Sequence, residues 1–271
     1  MTECGHDVKA LYKIIDNLTM TDNKQKLPKT RKIEKLPTHF MDFFEEKIKD
    51  IRRNFQIMSS TTYPERNDEQ CLYVLDPATD AEIYSIVMKS PNKSCDLDPI
   101  PTWLLKCCIE ELLPVITTLV NSSLATGCFP EPFKEAIIRP LLKKQNLDVE
   151  QFKNYRPVSN LHFVSKIIEK VVLVRLENHI LKADLHVHVQ SAYRKLHSTE
   201  TALLKISNDV LSSIDTKQCM ILASLDFSAA FDTVDHSLLE QKLEYEFGIK
   251  GSALQWFKSY LHNRKQRVSI K

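Results

Sequence analysis

The sequence predicts an α+β chain, helical through its first half and mixed after it. Three observations predict this. Apolar residues recur from Phe40 to Leu124 with the helical period of about 3.6 residues. From Ala136 that period gives way to short β-type runs interrupted by proline. Met220–Phe227 then alternates and is apolar, the pattern of a buried strand. With 271 residues, 43% apolar and 27% charged, the chain is long and greasy enough to enclose a core, and four glycines exclude a low-complexity or collagenous chain.

Taken in order, residues 1–37 are polar, Lys-rich and broken by Pro28 and Pro37, which predicts a short helix over Leu11–Leu18 and then a linker. Phe40, Phe43, Phe44, Ile48, Ile51 and Phe55 line one face of an amphipathic helix that ends near Asn54–Met58. Thr79 or Asp80 caps a helix through Ile83, Ile86 and Val87 that stops before Pro91. Asn92–Pro101 reads as a loop. Two helices jointed at Pro114 follow, closed by Thr126-Gly127. Ala136–Leu142 and Tyr155–Ser159 are two extended pieces around a polar loop, the pattern of a hairpin. Val164–Leu181 and Ser198–Ile214 are amphipathic helices, the second with Ser198 as its cap. Asp235 caps a further helix that Gly248 stops, and Ser252–Leu261 leads into a basic strand at Lys265–Ile270. The chain thus divides into a helical and linker extension (1–75), a helical segment (76–134) and a mixed portion (135–271).

The longest apolar stretches, such as Val171–Val174, fall far short of the ~20 residues a bilayer needs, and the polar start carries no export signal. Seven cysteines without a Cys-x-x-Cys pair fit reduced thiols, hence a cytoplasmic or nuclear and not a secreted location. Charge is placed unevenly. Residues 131–175 carry nine basic and five acidic side chains, and 251–271 carry five basic and none acidic, with an acidic stretch between them. Each basic block reads either as solvated surface or as a phosphate-binding face.

The chemistry concentrates in Ser224-Leu225-Asp226-Phe227-Ser228-Ala229-Ala230-Phe231-Asp232. A carboxylate ending a buried strand needs a cationic partner. Asp226 therefore either caps the turn after it or ligates Mg²⁺, which prefers one or two carboxylates plus substrate phosphates. In the second case the backbone N–H groups of Ser228, Ala229 and Ala230 cradle a triphosphate.

Asp226–His236 resembles the first catalytic motif of LINE-type (non-LTR) retrotransposon reverse transcriptases, in particular the jockey and chicken-repeat branch. Three further blocks are similar to that family and fall in its order: Ser90–Pro99, Asn154-Tyr155-Arg156-Pro157-Val158-Ser159-Asn160-Leu161, and Gln190-Ser191-Ala192-Tyr193-Arg194 through Glu200. The resemblance covers about residues 80–271. It implies the fingers and first part of the palm of a right-hand polymerase, with RNA template, DNA primer and deoxynucleoside triphosphates as partners. It implies Asp226 as the catalytic Mg²⁺ ligand and Phe231 as the ring that collides with a ribose 2′-OH, with Phe227 through Ala230 beside the nucleotide. Arg156, with Lys143 or Lys144, would meet the triphosphate, and Gln190 and Arg194 would belong to the template and fingers side. Each has a plainer reading: Phe231 as core, Arg156 in a surface ion pair, Lys143 and Lys144 on a solvated turn. Where the family has Gly-Phe, this chain has Ala192-Tyr193, a less permissive backbone.

The family's second carboxylate motif, of the Ala-Asp-Asp type, is not in the sequence, which contains no Asp-Asp pair. The resemblance therefore implies a truncated polymerase, inactive alone. The rival expectations are a non-catalytic nucleic-acid-binding remnant and a helical interaction protein built on residues 39–130.

Overall fold

The computed structural model describes residues 27–29, 33–53, 70–93, 95–227 and 229–270. The expected helix at Leu11–Leu18 and the end of the Phe-rich helix near Asn54–Met58 lie outside them. Helix α1 (Leu36–Arg53) begins after a 3₁₀ turn at Ile33–Lys35. Helix α2 (Asp80–Lys89) is capped by Thr79, whose hydroxyl accepts from the N–H of Glu82 at 3.2 Å. Helices α3 (Thr102–Cys107) and α4 (Ile109–Thr126) follow, then β1 (Glu135–Leu142), β2 (Tyr155–Leu161) and α5 (Phe163–Lys182). Helices α6 (Thr199–Asp215), α7 (His236–Tyr245) and α8 (Gly251–Leu261) precede β3 (Lys265–Val268).

The joint expected at Pro114 falls at Cys108 instead, and Pro114 sits inside α4. Proline there removes one N–H donor, and the carbonyl it would have met belongs to Glu110 on the exposed side of the helix, where solvent can reach it. Gly127 closes α4 at φ +64°, and a Cβ on it would stand 2.9 Å from the carbonyl oxygen of Ser252, so both conformation and space demand glycine.

The hairpin forms as expected: β1 and β2 pair antiparallel from Ala136 opposite Leu161 to Leu142 opposite Tyr155. Strand β3 adds in parallel on the other side of β1, giving the order β2-β1-β3. Helix α1 covers one face of this sheet. Leu36, Phe40 and Phe44 pack on Ile138 and Tyr155, with the Phe40 ring 4.9 Å from Tyr155 and 4.6 Å from Phe152. Side-chain packing thus crosses from the first segment into the sheet.

The larger core lies among α2, α4, α5 and α8, and it too joins residues on both sides of position 134. Trp256 is its centre. The indole N–H donates to the Ser123 hydroxyl at 3.0 Å and the ring stacks on Tyr260 at 5.3 Å, which satisfies its polar atom where the rest is buried. Arg175 of α5 clamps Glu82 of α2 and donates to the carbonyls of Asp76 and Pro77.

Met220–Phe227 is not a buried strand. It is irregular and exposed, with Ile221 94% and Leu225 85% accessible. The alternation is genuine, but no other strand among the described residues offers it a ladder, and an unpaired extended segment cannot enter a core without stranding its N–H and C=O groups. Asp226, expected at the end of a buried strand, is accordingly exposed. No described residue between Ile180 and Lys242 is buried.

Candidate nucleotide and nucleic-acid site

The β1–β2 hairpin collects cations. Antiparallel register sets Arg156 opposite Leu141, and Lys143 follows β1 with its N–H on the carbonyl of Asn154 at 2.9 Å. The Lys143 ammonium donates to the carbonyl of Lys153 at 2.7 Å. Lys144, Lys153 and Arg156 have no carboxylate within ion-pair distance among the described residues. Elsewhere in the same basic block the charges are consumed by structure: Lys134 pairs with Glu131 at 2.5 Å, Arg139 with Asp96 at 3.0 Å, and Arg175 with Glu82. Burial, followed by the charges of Lys47 and Arg156, holds the Lys143 ammonium below the usual lysine range.

The second basic block comes to the same sheet, because β3 lies along β1. Its cations divide in the same way. Arg267 is held by Glu135 at 2.8 Å, and Arg264 lies over the Tyr260 ring at 4.7 Å, while Lys265 is exposed on β3. Two blocks separated by an acidic stretch in sequence are therefore neighbours in space.

The segment that carries Asp226 leads into a turn over 229–233. Ala229 takes φ +53°, and its carbonyl accepts from the N–H groups of Asp232 at 2.9 Å and Thr233 at 3.1 Å. The N–H groups of Ala230 and Phe231 donate to no described residue, which leaves them for a ligand. Ser228 lies outside the described residues. Phe227 and Phe231 are exposed, the latter at 76%, and the Phe231 ring meets Tyr193 edge-on at 6.0 Å. Asp235 caps α7 by accepting from the N–H of Leu238 at 3.0 Å, as its position suggests. Asp226 makes no hydrogen bond or ion pair with any described residue.

Gln190 and Arg194 are brought together in the loop before α6. The guanidinium donates to the carbonyls of Gln190 at 3.3 Å and Val187 at 3.4 Å, and the Gln190 amide donates to the carbonyl of Ala192 at 3.0 Å. Positive φ in this loop falls on Tyr193, at +58°, and Leu196, at +63°, and not on Ala192, so alanine in place of glycine meets no left-handed backbone there.

Helix α1 spans from the hairpin to the Asp226 segment. Phe43 and Phe44 sit over the hairpin, Lys47 follows one turn on, and Arg52 donates to the carbonyl of Val234 at 3.0 Å. Neither Lys47 nor Arg52 was expected from the sequence. The Phe stripe of α1 marked the face that docks, and residues one and two turns beyond it on that face were the available signal.

As a metal site the residues present are incomplete. No group of three His, Cys, Asp or Glu side chains that could hold an ion occurs among the described residues. Asp226 offers one hard oxygen donor where a two-ion phosphoryl-transfer centre needs carboxylates from more than one element. Nor is any helix among the described residues long and apolar enough to cross a membrane.

The family described as reverse transcriptase (RNA-dependent DNA polymerase) matches residues 142–271. The chain is 28% identical over 193 residues to the probable RNA-directed DNA polymerase from transposon X-element of Drosophila melanogaster, covering 71% of this chain and 21% of that protein. It is 29% identical over 197 residues to the RNA-directed DNA polymerase from mobile element jockey of Drosophila funebris, covering 72% and 21%. A 149 kDa transposon TX1 protein of Xenopus laevis is 29% identical over 159 residues, covering 58% and 12%. The chain spans about a fifth of the length of the first of these relatives.

Proposed function

We propose that this chain, whose residues 142–271 match the reverse transcriptase family, is the fingers and first part of the palm of a non-LTR retrotransposon RNA-directed DNA polymerase. It holds the deoxynucleoside triphosphate and the RNA template with its DNA primer, and it contributes one of the carboxylates that phosphoryl transfer needs. The observation that supports this reading is the hairpin, where Lys143, Lys144, Lys153 and Arg156 gather without carboxylate partners among the described residues, while Lys134, Arg139 and Arg175 of the same block are paired. Unpaired cations on a rigid hairpin are what a triphosphate requires, since transfer through a charge-spread transition state depends on positioning and electrostatics. The turn at Ala229 leaves backbone N–H groups of Ala230 and Phe231 free to meet phosphate oxygens. Phe231, exposed and in edge contact with Tyr193, would be the ring under the incoming sugar.

When bound, Mg²⁺ would activate the primer hydroxyl and neutralise charge on the phosphates, with Asp226 as one of its ligands. The remaining carboxylates are not among these 271 residues, so no transfer step is assigned to them. The rival reading is a nucleic-acid-binding remnant without chemistry. Primer extension on an RNA template separates the two. The chain alone gives no extension; joined to the palm and thumb of a jockey-type relative it extends a primer, and Asp226→Ala abolishes that activity. A folded chimera that binds primer–template yet stays inactive would establish the remnant instead, and extension by the chain alone would overturn both.

A further inference from the structure

The phosphate-binding reading so far draws its cations from one hairpin, and α1 brings another to it. Phe40 and Phe44 fix α1 on the sheet, and the Phe43 ring lies 5.9 Å from that of Phe152 in the hairpin. Lys47 stands four residues after Phe43 and three after Phe44, so it shares the docked face of the helix. Its side chain is half-buried and meets no carboxylate among the described residues. Lys49, two positions on and turned to the other side of the helix, is exposed and pairs with Glu45 at 3.7 Å. The charge of Lys47 reaches Lys143, whose ammonium is held down by burial first and by Lys47 next. A half-buried Lys47 near an exposed Lys143 with no acid between them repels it, and an anion between the two turns that repulsion into attraction.

We propose that Lys47 is a further phosphate-binding side chain of the nucleotide site, supplied by α1 from outside the segment 142–271. The proposal rests on the nucleotide reading of the hairpin. It explains why a helix far upstream of the matched segment is seated on the sheet with a lysine facing the hairpin. In this arrangement α1 is part of the triphosphate clamp, and Lys47, Lys143 and Arg156 approach the polyphosphate from two elements.

The test is titration of the full chain with inorganic tripolyphosphate, followed by calorimetry, with thermal melts to check folding. Lys47→Gln is expected to weaken binding about tenfold, the size of one charge-assisted contact, and Lys143→Gln by a similar factor. Lys47→Arg should retain affinity and Lys49→Gln should leave it unchanged. If Lys143→Gln and Arg156→Gln weaken binding but Lys47→Gln does not, the proposal is overturned and the hairpin reading stands. If Lys49→Gln costs as much as Lys47→Gln, bulk charge accounts for the effect and the proposal fails. Absence of any tripolyphosphate binding would overturn the hairpin reading together with it.

Discussion

The scaffold around Trp256 and the stretch from Ile180 to Lys242 are built from similar amphipathic material, yet only the first is packed. Helix α5 buries Ile167, Ile168, Val171 and Val172, whereas α6, with Leu203, Leu204, Ile206, Leu211 and Ile214, buries none of its residues. The difference is partners: α5 has α2, α4 and the sheet's flank, while α6 and Met220–Phe227 have no described element to pack on. The residues that the family resemblance marks for chemistry, Asp226, Phe231, Gln190 and Arg194, all lie in the uncovered stretch. The cations proposed for phosphate lie on the packed scaffold.

Mutation to alanine should expose this contrast most strongly. Ile168→Ala removes a fully buried side chain and is expected to cost about 2–5 kcal/mol of unfolding free energy. Leu225→Ala, at an exposed position, should change it by no more than about 0.5 kcal/mol. Denaturant unfolding of both variants measures this, and equal losses would show that the open stretch packs in solution. In a chimera with the downstream palm, Leu225→Ala should become costly, because the alternating strand then has sheet partners.

Much of the scaffold was legible because its signals are local. Thr79, Ser198 and Asp235 announce helix starts, Gly127 and Gly248 announce stops, and the runs around the polar loop announce the hairpin. Met220–Phe227 was misread for a physical reason: alternation reports which side chains would be buried together, and burial itself depends on a ladder that the neighbouring sequence does not supply. The Pro114 joint was misplaced since a proline breaks a helix only where its missing bond matters. At the site, Asp226 was nameable from its place after an apolar run, and the other motif residues from the resemblance of four sequence blocks to a family. Which cations are paired was not, because Arg139 finds Asp96 and Arg267 finds Glu135 only through the fold.

Binding to an RNA–DNA duplex sharpens the same comparison at smaller amplitude. Affinity should fall linearly with salt on a logarithmic scale, and Lys143→Gln should reduce the slope by about one. Lys205→Gln, on the exposed face of α6, should leave the slope unchanged. Fluorescence anisotropy over a range of salt concentrations reads both. Equal slope changes would place the nucleic acid along the open stretch as well as the hairpin.

The packed scaffold also contains a titratable group that the open stretch lacks. Burial raises the pKa of Glu169 above 4.5, against the hydrogen bonds it accepts from Tyr260 at 3.1 Å and Ser165 at 3.2 Å. Tyr260 is in turn pushed up to about 12, by burial first and the Glu169 charge second. A carboxyl with a raised folded-state pKa holds its proton more tightly than in the unfolded chain, so its contribution to stability falls as pH rises from 4.5 through the folded value. Glu169→Gln keeps an acceptor for Tyr260 and removes the titration. Its melting temperature should lose that decline with pH and exceed the parent's at neutral pH; an unchanged pH profile would show Glu169 to be solvated.

A small stability change is expected at Phe231 as well, and it bears most directly on the site. The ring is exposed and meets Tyr193 at 6.0 Å, so Phe231→Ala should cost no more than about 1 kcal/mol, the value of one aromatic pair and far below a core phenylalanine. In the chimera that carries the downstream palm and thumb, the same substitution opens the space under the incoming sugar. Discrimination between sugars is a difference in transition-state binding, read from the ratio of kcat/KM for ribo- and deoxyribonucleotides. That ratio should rise in Phe231→Ala while Mg²⁺ dependence persists. Tyr193→Ala removes the brace without removing the gate and should shift the ratio less. A large loss of stability in the chain alone would place Phe231 in a core and move it to the packed side of the comparison. An unchanged ratio in a folded, active chimera would leave Asp226 as the one residue of the uncovered stretch with a role in the chemistry.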